Sequence, residues 1–249
     1  VMDLMNYRFT KSKTLGIHSV KNLLLIALMD LKGSFANAMP VMEKILDVKG
    51  NVLPLTEDNV NLVGITSNGK KVVGEYQLTK CASKIVEVKY DKDIIVNPKV
   101  IKAVNEADLI VFSSGSLLTS VVPHLIDKGL VNIINKAKAE KVYICNLFTQ
   151  PGETDDFTVK DHIDYIEKYL GKGNLDVVIA NNEIISSDLA EKYATEEQKD
   201  PVILDMHELV DSDIYVIQDK LFTIEDGWYR HDALKTGYLL FSYLMDGRK

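Results

Sequence analysis

Lys141–Thr154 reads KVYICNLFTQPGET. Val142, Ile144 and Cys145 lie among good strand formers, so the stretch opens as a buried strand. The strand stops at Asn146 and runs into the polar loop Thr149-Gln150-Pro151-Gly152-Glu153-Thr154. A helix over Val159–Leu170 follows, with Thr158 or Asp155 as its cap. Open α/β sheets bind ligands where a strand empties into such a loop at its carboxyl end. The alternative is a loop that only turns the chain through Pro151-Gly152. A second stretch has the same form. Ala107–Phe112 is a buried strand, Ser113–Ser120 a hydroxyl-rich turn, and an apolar helix follows. The turn suits an anion cradle at a helix N-terminus, or serves only as helix capping.

The chain has 249 residues, 46% apolar and 26% charged, as suits a globular α/β unit with a large core. No linker or low-complexity tract divides it, and residues 1–249 are expected to form a single domain. The net charge of −7 is spread without a Lys/Arg run, which argues against nucleic acid as a partner. Cys81 and Cys145 are too few for a disulfide framework and fit the cytoplasm. No stretch approaches the length of a membrane span. Val1 is no initiator methionine, and the first residues read like mid-helix, so an amino-terminal part of the fold is expected to precede them.

Along the chain, Thr10–Gly16 reads as a polar loop, and Ile17–Asn22 opens a helix running through Leu31. Ser34–Val48 is a second helix, which Pro40 kinks or starts. Asn51–Leu55 is a short strand. Val60–Thr66 and Lys71–Gln77 form a hairpin around Asn68-Gly69. Ile85–Tyr90 is a strand and Pro98–Glu106 a helix. Asp176–Asn181 is a buried strand ending in Asn181-Asn182-Glu183, and Ser187–Tyr193 is helical. Val202–Leu204 and Tyr215–Ile217 are short strands, and Asp232–Leu244 is the closing helix. The alternation predicts a three-layer, Rossmann-like α/β fold: a parallel sheet with helices on both faces and an inserted β-hairpin. Ser113-Ser114, Asn146 and Asn181-Asn182 should end side by side and share one crevice.

His18-Ser19 with Asn22 at a helix start reads either as a phosphate contact or as a Ser19 cap beside an exposed histidine. Asp161 and His162 are adjacent on a helix, point about 100° apart and are no acid–base couple; His162 is expected at the surface. Arg230 offers a bidentate phosphate grip, and Asp232 an N-cap. Tyr193 either stacks on a base or sugar or covers core. No zinc spacing, P-loop, glycine-rich dinucleotide fingerprint or nucleophile elbow is present.

Together these residues resemble the CofD/YvcK (UPF0052) family, and its YvcK branch, the gluconeogenesis factors, more closely. The likeness rests on Tyr7-Arg8-Phe9, His18-Ser19 with Asn22-Leu23-Leu24-Leu25, Ile45–Pro54, Gly74-Glu75, and Ala107–Ile110. It continues through Gly115-Ser116-Leu117, Thr119-Ser120, Pro123, Val142–Thr154, Thr158, Asp161-His162 and Arg230-His231-Asp232. The family's glycine-rich amino-terminal turn has no counterpart here. Lys21 stands where the family has glycine, Ser113-Ser114 where it has Gly-Pro, and Leu118 where it has tyrosine.

The resemblance implies a cytoplasmic, bacterial UDP-sugar-binding regulator without turnover, linked to gluconeogenic carbon metabolism and to cell-wall and cell-shape control. His18, Ser19 and Asn22 would contact phosphate or ribose. Gly115 and Ser116 would cradle phosphate, Asn146, Thr149 and Glu153 would shape the crevice floor, and Tyr193 and Arg230 would hold sugar or diphosphate. The nucleotide-sugar is the one small-molecule partner implied, with no firm cofactor. A second copy of the chain and a cell-wall synthesis protein stay open as partners. The alternative is a CofD-like transferase moving phospholactate onto a deazaflavin precursor, with magnesium held by Glu153 and Asp161. A third reading is a member that acts through partners alone.

Overall fold

The structure, a computed structural model, describes residues 2–10, 12, 18–81, 83–210, 212–225 and 227–247. The loop expected over Thr10–Gly16, apart from Thr10 and Ser12, and Ile17 at the expected helix start lie outside them. The chain groups into two compact units, Val1–Asn59 with Ile95–Lys102 and Val60–Ile94 with Ala103–Lys249.

The first unit holds α1 (Met2–Asn6), α2 (Val20–Lys32) and α3 (Phe35–Leu46). Gly33, at φ 78°, closes α2 by returning its N–H to the Met29 carbonyl, and Ser34 caps α3 by accepting from Asn37 N. Pro40 sits inside α3 rather than in its first turn. Leu28, Ala38 and Met42 form the unit's core. Asn51–Leu55 is not a strand. Pro54 has no N–H to give a ladder, and the carbonyls of Pro54 and Leu55 accept from Asn97 instead.

In the second unit, β1 (Leu62–Thr66) and β2 (Lys71–Val73) pair around Asn68-Gly69 as expected. β2 is shorter than the expected Lys71–Gln77, because Gly74 at φ 97° turns the chain into α4 (Glu75–Thr79). β3 (Ile85–Tyr90) joins β1 to make an antiparallel sheet of order β2-β1-β3. Next come α5 (Pro98–Glu106), whose residues up to Lys102 belong to the first unit, and β4 (Leu109–Phe112). The apolar helix expected after β4 is a π turn over Leu117–Val121 and a 3₁₀ turn over Val122–Leu125. There follow α6 (Lys128–Lys136), β5 (Glu140–Ile144), α7 (Val159–Leu170), β6 (Val177–Asn181), α8 (Ser187–Glu197), α9 (Met206–Leu209) and β7 (Tyr215–Asp219).

β4-β5-β6-β7 form a parallel sheet in chain order, flanked by helices, which is the α/β class that the sequence predicts. Val142 and Val177–Ala180 are fully buried, as a doubly covered sheet demands. Val202–Leu204 forms no strand; only a lone bridge joins Phe148 to Pro201, which brings no N–H. The sequence reading missed a hairpin, β8 (Phe222–Glu225) and β9 (Trp228–His231), whose Tyr229 and Phe222 pack with Tyr193 in a buried cluster. Asp232 caps α10 (Ala233–Asp246) as expected, accepting from Lys235 N at 2.9 Å. On α7, the Tyr169 hydroxyl accepts from Val88 N at 2.7 Å and donates to Val88 O at 3.2 Å, while Lys168 donates to Val86 O. No single helix among the described residues is long and apolar enough to cross a membrane.

Candidate functional site

The loop leaving β5 is polar because its side chains replace missing backbone partners. Thr149 N donates to Asp200 O at 2.8 Å, and Asp200 N donates back to Thr149 Oγ1 at 2.9 Å. Gln150 N donates to Thr154 Oγ1 at 2.8 Å, and Gln150 O accepts from both Glu153 N and Thr154 N. Gly152 takes φ 77°, and a Cβ there would stand 2.1 Å from the Cys81 carbonyl oxygen. Its own carbonyl accepts from Ile85 N, which fastens the loop to β3. Thr149, Glu153 and Thr154 are buried by this arrangement.

The turn leaving β4 is held from behind by that loop. Asn146 Nδ2 donates to Gly115 O at 2.9 Å. Ser116 Oγ donates to Glu153 Oε2 at 2.6 Å, and Leu118 N donates to the same oxygen at 3.4 Å. Thr119 N and Thr119 Oγ1 both donate to Ser116 Oγ. The helical turn therefore already has an internal carboxyl at its start. Burial pushes the Glu153 pKa up, against the hydrogen bonds from Ser116 and Leu118. Gly115 N and Ser116 N make no hydrogen bond among the described residues and remain as donors.

In front of both turns lies a cleft of about 380 Å³. Ser114, Gly115, Ser116, Asn146, Thr149 and Gln150 make its polar side. Phe148, Tyr193, Trp228 and Tyr229 make an aromatic side. Phe148 stacks on Tyr193 at 4.0 Å between centroids, and Trp228 meets Tyr193 edge-on at 5.2 Å. The Tyr193 hydroxyl accepts from Tyr229 N at 2.8 Å, which locks α8 to β9. Arg230 is exposed at the rim with no ion pair among the described residues, whereas Lys199, also at the rim, is paired with Glu197. His231 lines the cleft with a buried, unpartnered Nδ1, and burial lowers its pKa.

Of the residues nominated from sequence, Gly115, Ser116, Asn146, Thr149, Tyr193 and Arg230 line this one cleft. Glu153 sits behind Ser116 rather than on the lining. His18, Ser19 and Asn22 belong to the first unit. There His18 and Asn22 are exposed, while Ser19 is buried at the N-cap of α2 with its hydroxyl unpartnered. Two expectations are corrected. Asn181-Asn182 do not share the crevice but line a separate groove of about 460 Å³ with Ile184, Ile203 and Met206. His162 is fully buried rather than at the surface, with Nδ1 2.8 Å from Thr158 O. Its place on the buried Val159–Ile163–Ile166–Leu170 face of α7 was readable from the helical period. Asp161 closes a capping box with Thr158. Phe148, Gln150, Trp228 and Tyr229 were not nominated. Asp226-Gly227, a strong hairpin signal, would have put Trp228 and Tyr229 on a strand with Arg230.

The family model described as 2-phospho-L-lactate transferase CofD matches residues 1–222, across both units. The gluconeogenesis factor of Bacillus subtilis is 36% identical over 247 residues, covering 99% of this chain and 78% of that protein. A Thermotoga maritima protein, provisionally given the same name, is 41% identical over 193 residues, and the match spans only 61% of its length. A crystal structure of a UPF0052-family protein from Bacillus halodurans superposes with a TM-score of 0.90 at 37% identity, covering 95% of this chain and 76% of that one.

Proposed function

The chain belongs to the CofD family, and from that premise we propose that it is a nucleotide-sugar-binding regulator, with a UDP-sugar as ligand, serving gluconeogenic carbon metabolism and cell-wall control. The observation that carries the reading is the cleft's two-sided chemistry. Phe148, Trp228 and Tyr229, packed around the largely buried Tyr193, line the cleft together with the polar turns that carry Gly115 N and Ser116 N, and Arg230 is exposed on the same lining. A base or sugar ring suits the first, and a diphosphate suits the second. The names of the Bacillus subtilis and Thermotoga maritima relatives support the metabolic setting.

The transferase alternative rests on the family description and on magnesium held by Glu153 and Asp161. These two residues do not fit that ion. Magnesium takes charged oxygens at close to octahedral geometry. Glu153 is buried with one oxygen taken by Ser116 Oγ and Leu118 N, while Asp161 is engaged with Thr158 at the start of α7.

The test is calorimetric titration with UDP-N-acetylglucosamine, UDP-glucose, UDP and GDP, each with and without magnesium. UDP-sugars should bind at about micromolar strength regardless of magnesium, and Arg230→Ala should weaken them about tenfold or more, as loss of a charge-assisted contact does. No heat with any UDP-sugar would end this reading; binding of GDP that requires magnesium would favour the transferase.

A further inference from the structure

A carboxylate stands on the wall of a cleft read as an anion site. Among the described residues that line it, Glu197 is the one acidic group, and Lys199 and Arg230 are the cations. Burial lowers the His231 pKa, so that ring adds no charge at neutral pH. Glu197 and Lys199 form an ion pair, with side chains 33% and 30% exposed, so both remain open to the cleft. The end of α8 fixes where they stand. Gln198 turns the chain at φ 55°, Lys199 N donates to Tyr193 O, and Asp200 is bonded through both backbone groups to Thr149. A partly exposed pair of this kind adds little to stability. On a cleft wall it acts through its field instead, which low-dielectric walls concentrate. Glu197 engages Lys199, and Arg230 is left as the lining cation without an ion pair among the described residues.

Nucleotide diphosphates differ in charge at their far end. A terminal phosphate has a second ionisation at about pH 6 and carries about −1.5 to −2 at neutral pH. A phosphate esterified to a sugar has lost that ionisation and carries less charge. A carboxylate on the cleft wall repels the first more strongly than the second. We propose that Glu197 is a specificity-determining residue of this cleft, which admits a diphosphate with an esterified far end and disfavours one that ends in a free phosphate. The inference rests on the nucleotide-sugar reading and adds how a sugar-bearing nucleotide is told from the bare one. Lys199 moderates the effect by neutralising part of the Glu197 charge.

Wild type, Glu197→Gln, Glu197→Asp and Lys199→Gln are titrated calorimetrically with UDP, the β-methyl ester of UDP and UDP-glucose, at ~0.05 M and ~0.5 M salt. The ester differs from UDP in terminal charge and brings no sugar, so the ratio of the two affinities reads charge alone. Wild type should bind the ester more tightly than UDP. Glu197→Gln should shrink that preference about threefold or more, the effect of one charge acting through partly wet space. Glu197→Asp should keep the preference, and Lys199→Gln, which leaves Glu197 unopposed, should enlarge it. All these differences should fade at the higher salt, where screening is stronger. Melting curves should be alike for the four proteins, as for any partly exposed pair. A wild-type preference for UDP over the ester, a preference that Glu197→Gln leaves unchanged, or a change of equal size at both salts would overturn the proposal. If wild type binds none of the three ligands, the nucleotide-sugar reading itself falls, and this inference falls with it.

Discussion

The exits of β5 and β6 are alike in composition and opposite in structure. Asn146–Thr154 folds inward, with Thr149, Glu153 and Thr154 buried and bonded to Asp200, Ser116 and their own loop. Asn181-Asn182-Glu183 stays nearer the surface: Asn181 Oδ1 accepts from Leu221 N at 3.2 Å and its Nδ2 reaches Glu183 O, but Asn182 and Glu183 are exposed and Ile184 beyond them is 89% exposed. Polar letters at a strand end thus do not decide by themselves whether the loop folds inward. The first exit has shape because its backbone and side chains together bond several other segments: Gly152 O accepts from Ile85 N of β3, Leu147 O from Val202 N, and Thr149 Oγ1 from Asp200 N.

The sharpest way to break this contrast is Gly152→Ala. Its φ of 77° and the Cys81 oxygen at 2.1 Å from a Cβ combine backbone strain with a clash. A stability loss of about 3–5 kcal/mol is expected in urea unfolding. Gly173→Ala, at φ 75° but facing open space, should lose only about 1 kcal/mol. Equal losses would mean that the close approach to Cys81 contributes nothing.

Next in size is Glu153→Ala, which leaves the Ser116 hydroxyl and Leu118 N–H without their acceptor and should cost about 2–3 kcal/mol. Glu153 also gives a pH signature. Burial raises its pKa above the ordinary 4.5, so its stabilising contribution is whole below that value and is lost as pH climbs through the raised pKa. Melting temperatures of wild type minus Glu153→Gln should therefore fall as pH rises above 4.5; a flat difference would contradict a buried acid.

Thr149→Val keeps shape and removes the acceptor for Asp200 N, with an expected loss of about 1–2 kcal/mol by the same unfolding measurement. Ile184→Ser at the β6 exit should stay within about 0.5 kcal/mol. A loss above about 1 kcal/mol there would place both exits in one class and remove the distinction.

The fold was legible wherever local chemistry and long-range packing agree. The Asn68-Gly69 turn and the Thr158 cap stand as expected, and the buried strand before Asn146 is present but ends at Ile144. Legibility failed where a partner decides. Val202–Leu204 has strand composition, but its neighbour takes only a lone bridge at Pro201. Of the candidate site, the polar side could be nominated because Gly115, Ser116, Asn146 and Thr149 follow directly from two strands. The aromatic side comes from α8 and β9, distant in sequence, and only packing brings Tyr193, Trp228 and Tyr229 together. Nor does the sequence mark which charges face the cleft. Glu197 and Lys199 read as ordinary helix-end residues until their ion pair on its lining is traced.

The Tyr169 hydroxyl on Val88 has a consequence outside the cleft. β3 is the last strand of its sheet, and such a margin is a template on which another chain's strand can grow, the first step toward fibres and precipitates. Here one phenol imitates a neighbouring strand by taking both polar groups of Val88, and Lys168 takes the Val86 carbonyl. The Val88 rung and the Val86 carbonyl are therefore already taken, so two side chains of a single helix oppose strand growth at the middle of that margin.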